Sequence, residues 1–157
     1  MPKIDLSRIA PRGGSIYPPP HDAEMDGRTS LRVGDAGGLT QFGANIVILA
    51  PGAKSSLRHW HEKQDEFVMV VSGTCTLIDD HGEHEMRVGD CATFPAGDEN
   101  GHHFVNRTDE EARFLVIGTR TPTETGWYSD LDLKVTMDAD GFAFTRKDGT
   151  PYEGDDK

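Results

Sequence analysis

Hydrophobic and polar residues alternate with a period of two through the middle of the chain, between about residues 41 and 118. This period is typical of β-strands, in which alternate side chains share a face. Turns rich in Gly, Pro and Asp separate the apolar stretches, and no helix longer than a turn or two is predicted. The predicted strands cover residues 40–50, 59–61, 66–71, 74–79, 84–88, 91–94, 102–106 and 112–119.

The first of these stretches, residues 40–50, is almost continuously apolar, which predicts a strand buried on both faces. Its polar exceptions are Gln41 and Asn45. Each is either satisfied by neighbouring backbone groups or is a polar group in a pocket.

The two ends of the chain lack this regular alternation. Residues 1–40 include three consecutive prolines at 18–20, which favour an extended arm, and a short strand running into a turn at 31–35. Residues 121–157 show weaker alternation, with edge strands predicted at 130–135 and 142–146. A chain of 157 residues suits one domain, which we divide into an arm (1–40), a core (41–120) and a C-terminal extension (121–157) packed on that core.

A histidine pair stands at the centre of the core. His59 and His61 would point to the same face of a strand, about 7 Å apart, and Trp60 to the other. Two imidazoles in this arrangement can bind one metal ion. Glu66 can join them only if residues 62–65 turn the chain, because five positions is an odd offset, and Glu66 would then open the next strand.

A second histidine-bearing stretch spans residues 89–106. His102 and Phe104 alternate onto one face of its predicted strand, and His103 takes the other. His102 can therefore supply a third imidazole; His103 is the alternative. The remaining histidines are predicted to lie in exposed loops or around a hairpin, away from the metal: His21, His81 and His84.

These residues resemble the two motifs of the cupin superfamily. The first motif, G-x5-H-x-H-x(3,4)-E-x6-G, is matched with one extra residue before the first histidine. The second, G-x5-P-x-G-x2-H-x3-N, is matched with two extra residues before its histidine. The matching positions are Gly52, His59, His61, Glu66 and Gly73 for the first motif, and Gly89, Pro95, Gly97, His102 and Asn106 for the second.

The resemblance implies an all-β, cupin-type double-stranded β-helix (a jelly-roll barrel) with an extended N-terminal arm. It also implies that the metal ligands are His59, His61, Glu66 and His102, since the H-x3-N spacing favours His102 over His103. The chain is similar over nearly its whole length to small, single-domain bacterial cupins of undetermined activity, through residues 39–52, 100–121 and 144–152. In such proteins the arm often packs on the barrel or a partner subunit, so we expect a homodimer.

Three imidazoles and a carboxylate leave coordination positions open on one divalent ion. The sequence does not distinguish among Fe, Mn, Ni, Co and Zn as that ion. An open site can polarise a carbonyl or activate water or O₂. We therefore predict a metalloenzyme that acts on a small hydroxylated or carbonyl compound, such as a sugar or sugar acid, as an isomerase, lyase or dioxygenase. A non-catalytic ligand sensor is the alternative, and a purely structural barrel is the third hypothesis.

The net charge limits the classes of binding partner, and the cysteine spacing bears on disulfide formation. The formal net charge of -11 argues against nucleic acid and anionic membranes, because phosphate backbones require clustered Lys and Arg. Cys75 and Cys91 lack a C-x-x-C spacing and are predicted to be free, mostly buried thiols. No apolar run is long enough to span a bilayer, so we expect a cytoplasmic protein. Its expected partner is a small molecule.

Arg58 lies two positions before Trp60, so its side chain should share the face of Trp60 and point away from the metal.

Overall fold

A computed structural model describes residues 2–152. Twelve β-strands and one short helix form its regular structure, together with two 3₁₀ turns in the arm. The strands are β1 (Arg28–Leu31), β2 (Phe42–Leu49), β3 (His59–His61), β4 (Glu66–Ser72), β5 (Cys75–Asp79), β6 (Gly82–Met86), β7 (Cys91–Phe94), β8 (His103–Val105), β9 (Ala112–Thr119), β10 (Glu124–Tyr128), β11 (Lys134–Asp138) and β12 (Gly141–Thr145); the helix is α1 (Val33–Ala36).

The strands form three antiparallel sheets that enclose one core. A five-stranded sheet has the order β1-β2-β9-β4-β7, a four-stranded sheet the order β12-β11-β10-β3, and a three-stranded sheet the order β6-β5-β8. Neighbours in the sheets are often distant in the sequence, as in a jelly roll, and the predicted all-β architecture is confirmed.

The main core lies between the inner faces of these sheets. Val68 and Val70 of β4 are fully buried and meet Phe104 of β8 and Phe114 of β9, whose rings lie 4.9 Å apart. Burial of such side chains contributes about 1.5–3 kcal/mol each. The alternation predicted for β4 is confirmed, because Glu66 lies on the face that carries these two valines.

The N-terminal arm is tied to the five-stranded sheet. Arg12 and Ser30 exchange two backbone hydrogen bonds of 2.9 Å, and β1 then pairs with β2 in register. A second apolar cluster joins the arm to the four-stranded sheet through Met25, Leu57, Tyr128 and Leu133.

Some predicted elements differ from the observed ones. The strand expected at 40–50 is β2 (Phe42–Leu49), and only its last three residues are buried, because β1 pairs with Ile46–Leu49 and leaves the first half without a neighbour on that side. In the C-terminal extension β11 begins four residues later than predicted, and β10 was not predicted. Within the described residues no helix is long and apolar enough to cross a membrane.

Two side chains are buried differently from the sequence prediction. His21, expected in an exposed loop, is 7% exposed and contacts Glu24 and Tyr152, so that prediction was wrong. Both cysteines are free as predicted, but Cys91 is exposed, because it opens β7 at a sheet edge, and only Cys75 is buried. Burial raises the pKa of the Cys75 thiol to about 11.

Candidate metal centre

Strand β3 carries the two histidines and is held on both sides. On one side it pairs with β10, where Tyr128 lies opposite His59. On the other side His59 exchanges two backbone hydrogen bonds with His102, of 2.9 and 3.1 Å. Trp60 points away and stacks on Trp127 at 5.9 Å, so the predicted parity of the histidine pair is confirmed.

Three potential ligands converge at this strand. One ligand atom from each of His59, His61 and Glu66 lies within 4.8 Å of the other two, which is compatible with ligands around a single ion at about 2.0–2.2 Å. Nε2 of His59 and Nε2 of His61 are 3.1 Å apart, and a Glu66 carboxylate oxygen is 3.4 Å from the latter. This is the predicted arrangement of two strands separated by a turn.

The protonation of His59 suits metal binding. Its Nδ1 donates a hydrogen bond of 2.8 Å to the carbonyl of Leu57, which leaves the lone pair of the neutral ring on Nε2. Burial, with repulsion from His61 and His102, lowers the pKa of His59 to about 3, so the ring is neutral near pH 7.

Glu66 supplies a negative charge to the group. Burial raises the pKa of Glu66, but hydrogen bonds from His102 and His61 outweigh burial and hold the pKa well below its usual range. The ionised carboxylate beside the neutral His59 ring places a negative charge in the group, which favours a bound cation. The buried Nδ1 atoms of His61 and His102 lack a hydrogen-bond partner among the described residues.

His102 touches this group through Glu66. Its Nε2 lies 3.2 Å from a Glu66 oxygen, its side chain is 2% exposed, and its ring stacks on Phe94. His102 is not part of the set that converges within 4.8 Å, and its role as the fourth ligand stays a prediction. His103 faces the other way and contacts the carbonyl of Ser56.

A buried carboxylate shapes the turn that brings Glu66 to the histidines. Glu124, at the start of β10, is 6% exposed and accepts hydrogen bonds from the backbone N–H groups of Glu62, Lys63 and Thr125, at 2.7–3.2 Å. It thereby fixes the chain between β3 and β4. This role of Glu124 was not predicted, because nothing adjacent in the sequence marks it.

Two cavities adjoin the candidate ligands. One, of about 180 Å³, is lined by His59, Glu66 and His102, together with Asn45, and is called the barrel cavity here. The other, of about 230 Å³, is lined by His61 and again by His102. Asn45 is therefore a polar group in a pocket, the second of the two alternatives that its sequence position allowed.

The remaining predicted residues lie apart from this centre. Arg58 pairs with Asp80 and Asp130 and so points away from the candidate ligands, as predicted. His81 and His84 are exposed near the β5–β6 turn. Two supporting contacts of His59 were not predicted: Ser56, whose Oγ lies 3.3 Å from Nδ1, and Tyr128, whose ring lies 5.9 Å from the imidazole.

Comparisons with known proteins agree with this architecture. A family model described as a cupin domain matches residues 45–118. A crystal structure of a sugar phosphate isomerase of the cupin superfamily from Silicibacter pomeroyi is 67% identical, with a TM-score of 0.97, and the match covers 98% of each chain. None of the curated proteins compared with the chain matches it.

More distant structures share the fold. A protein from Acidithiobacillus ferrooxidans, proposed to be a sugar phosphate isomerase, is 25% identical with a TM-score of 0.73; the match covers 82% of this chain and 81% of that one. The polyketide cyclase RemF from Streptomyces resistomycificus is 21% identical with a TM-score of 0.61, over 76% and 79% of the two chains. At that identity the likeness concerns the fold alone.

Proposed function

The chain belongs to the cupin superfamily, and we propose that it is a metal-dependent isomerase of a small sugar that carries a carbonyl next to a hydroxyl group. The observation that carries this proposal is the convergence of His59, His61 and Glu66 beside an open cavity. The 67% identity to a protein described as a sugar phosphate isomerase supports an isomerase over a lyase or a dioxygenase.

The proposed ligands of the ion are His59, His61 and Glu66, with His102 as the fourth. Bound there, a divalent ion would act as a Lewis acid toward a carbonyl or hydroxyl oxygen of the sugar. The hydrogen bond from His59 to Leu57 fixes the ring so that Nε2 would be available to the ion. Asn45 offers an amide to a sugar hydroxyl, and Phe104 and Phe114 form the apolar wall of the barrel cavity.

Isomerisation can be tested by converting sugars in the presence of defined metals. The protein would be stripped with a chelator, reloaded separately with Fe(II), Mn(II), Co(II), Ni(II) or Zn(II), and incubated with aldoses and ketoses, phosphorylated and unphosphorylated. NMR would follow interconversion of the two sugar forms. We expect turnover with at least one metal and a loss of about 100-fold or more in Glu66→Gln, since loss of groups that merely support metal ligands already costs 10–100-fold.

The matched control is His81→Ala, which removes an exposed imidazole outside the centre and should keep full turnover. Oxygen uptake with Fe(II) and no isomer formed would contradict the proposal in favour of a dioxygenase. A sugar that raises the melting temperature without turnover with any of the five metals would favour the ligand sensor.

A further inference from the structure

Three arginines line one cavity between the N-terminal arm and the barrel. Arg28, Ser30 and Arg32 alternate along β1 and its end, so their side chains share a face. The backbone pairing of Arg12 with Ser30 adds a third guanidinium from the arm. All three arginines line a cavity of about 360 Å³, called the arm cavity here, with Tyr17 and several serines.

These arginines differ from the others in the chain. Of the ten arginines in the sequence, seven form a salt bridge within 4.0 Å: Arg8, Arg58, Arg87, Arg107, Arg113, Arg120 and Arg146. Arg12, Arg28 and Arg32 form none with a carboxylate in residues 2–152. The carboxylate of Asp35 accepts a hydrogen bond from Arg120. It interacts with the charges of Arg12 and Arg32 only at longer range. In a chain with 27 acidic residues, this lack of partners is not explained by a shortage of carboxylates.

Arg28 also has an unsatisfied donor. Its Nε is buried and has no hydrogen-bond partner among the described residues. A buried donor without an acceptor costs free energy, so the site favours a ligand that supplies one. A guanidinium offers its donors in a planar fork, which matches two oxygens of a phosphate.

The arm cavity adjoins the candidate metal centre. Arg28, Ser55 and Ser56 line both the arm cavity and the barrel cavity. Ser56 contacts His59, and the barrel cavity is lined by His59, Glu66 and His102. One small molecule can therefore place an anionic end at the arginines and its other end at the proposed ligands.

We propose that Arg28, with Arg12 and Arg32, binds the phosphate group of a phosphorylated sugar whose carbonyl end lies at the metal centre. The sugar half of this proposal rests on the proposed function, whereas the anion site itself does not. A phosphate monoester carries nearly two negative charges and three acceptor oxygens, and it can engage several guanidinium groups together. A carboxylate has one charge and two oxygens, and it matches this surplus of cations less well.

The site can be tested by isothermal titration of the full chain, with and without metal, using inorganic phosphate and fructose 6-phosphate in sulfate-free buffer. We expect wild type to bind both, and Arg28→Gln to bind each at least about tenfold more weakly, because a charged bidentate contact is lost. Arg28→Lys should lose less, and Arg12→Gln, which changes an exposed side chain, should also weaken binding. Circular dichroism would confirm that each variant is folded.

Two control variants separate this site from the metal centre. Arg107→Gln changes an exposed arginine paired with Glu83 and should bind phosphate like wild type. His61→Ala should lose metal but keep its affinity for inorganic phosphate in the metal-free protein. If the proposed isomerase is active, Arg28→Gln should raise KM for the phosphorylated sugar by a larger factor than KM for the unphosphorylated sugar.

Several results would overturn the anion site. These are absence of phosphate binding by wild type, equal affinity in wild type and Arg28→Gln, or binding of glucuronate without binding of phosphate. Phosphate binding that depends on Arg28, in a protein that isomerises none of the sugars, would retain the anion site and reject the isomerase.

Discussion

Nε2 of His59 and Nε2 of His61 lie 3.1 Å apart, closer than two unshared lone pairs would normally be held. Because the His59 proton is fixed on Nδ1, either His61 donates to His59 or both nitrogens face a common cation. The ionised Glu66 beside them makes the cation the better electrostatic match. The metal hypothesis thus depends on a few atoms whose protonation is set by their hydrogen bonds.

Replacing His61 with Ala should strongly lower the metal content of the purified protein, because it removes one of the three converging candidate ligands. Elemental analysis after dialysis would measure bound metal per chain. His81→Ala removes an exposed imidazole and should leave the metal content unchanged. An equal loss in both variants would defeat the ligand assignment.

The turn between β3 and β4 is organised by the buried carboxylate of Glu124. Glu124→Ala should lower the free energy of unfolding by at least about 1.5–3 kcal/mol, since hydrogen bonds to a charged group are lost and buried N–H groups lose their acceptor. Urea unfolding would measure this change. Glu85→Ala, at an exposed ion pair with Arg87, should cost less than about 1 kcal/mol. Similar costs would contradict the role of Glu124.

A second structural constraint lies at Gly73, directly after β4, where the backbone φ is +70°. A Cβ there would lie 2.5 Å from the carbonyl oxygen of Glu111, so Gly73→Ala adds a backbone clash to the conformational strain of about 1–3 kcal/mol. Gly52→Ala has a similar φ, +83°, but open space around its Cβ. We expect thermal unfolding to show the larger loss for Gly73→Ala; equal losses would remove the clash from the explanation.

The core strands were predictable because each buries one face, and this fixes a period of two. Val68, Val70 and Phe104 follow that rule, and the same rule placed His59 with His61 and separated His102 from His103. It failed at β10, where burial alternates regularly but two of the buried positions are Glu124 and Gly126, which give no apolar pattern.

Long-range contacts were not predictable from the sequence. Glu124 meets the β3–β4 turn from about sixty positions away, and Arg12 reaches β1 through backbone pairing of an irregular arm. Arg28, Ser30 and Arg32 did carry a local signal, since they alternate along a strand and its end, but the strand was predicted to begin at residue 31, too late to include Arg28 and Ser30.

Metal binding should stabilise the whole molecule, because the ligands come from separate strands and converge only in the folded chain. At a metal concentration 100 times Kd the gain is about 2.7 kcal/mol. For a chain of this length, this corresponds to roughly 5–11 °C in Tm. Calorimetry before and after chelation should show this fall, with recovery on reloading. His61→Ala should respond to neither step, and a wild-type Tm unaffected by chelator would contradict the idea.

The homodimer stays a prediction. Apolar side chains remain exposed on the outer strands of the four-stranded sheet, with Phe142 at 53% and Met137 at 39%. Sedimentation velocity at micromolar concentration should give twice the chain mass of 17.2 kDa. A single species at the mass of one chain would remove the prediction.

The stacking of Trp60 on Trp127 has a practical consequence. These are the two tryptophans of the sequence: Trp60 lies at the back of the strand that presents His59 and His61, and Trp127 lies opposite it on β10. All indole fluorescence therefore originates from one stacked pair directly behind the proposed ligands. The native protein carries its own optical reporter, through which occupancy of the centre can be followed without any added label.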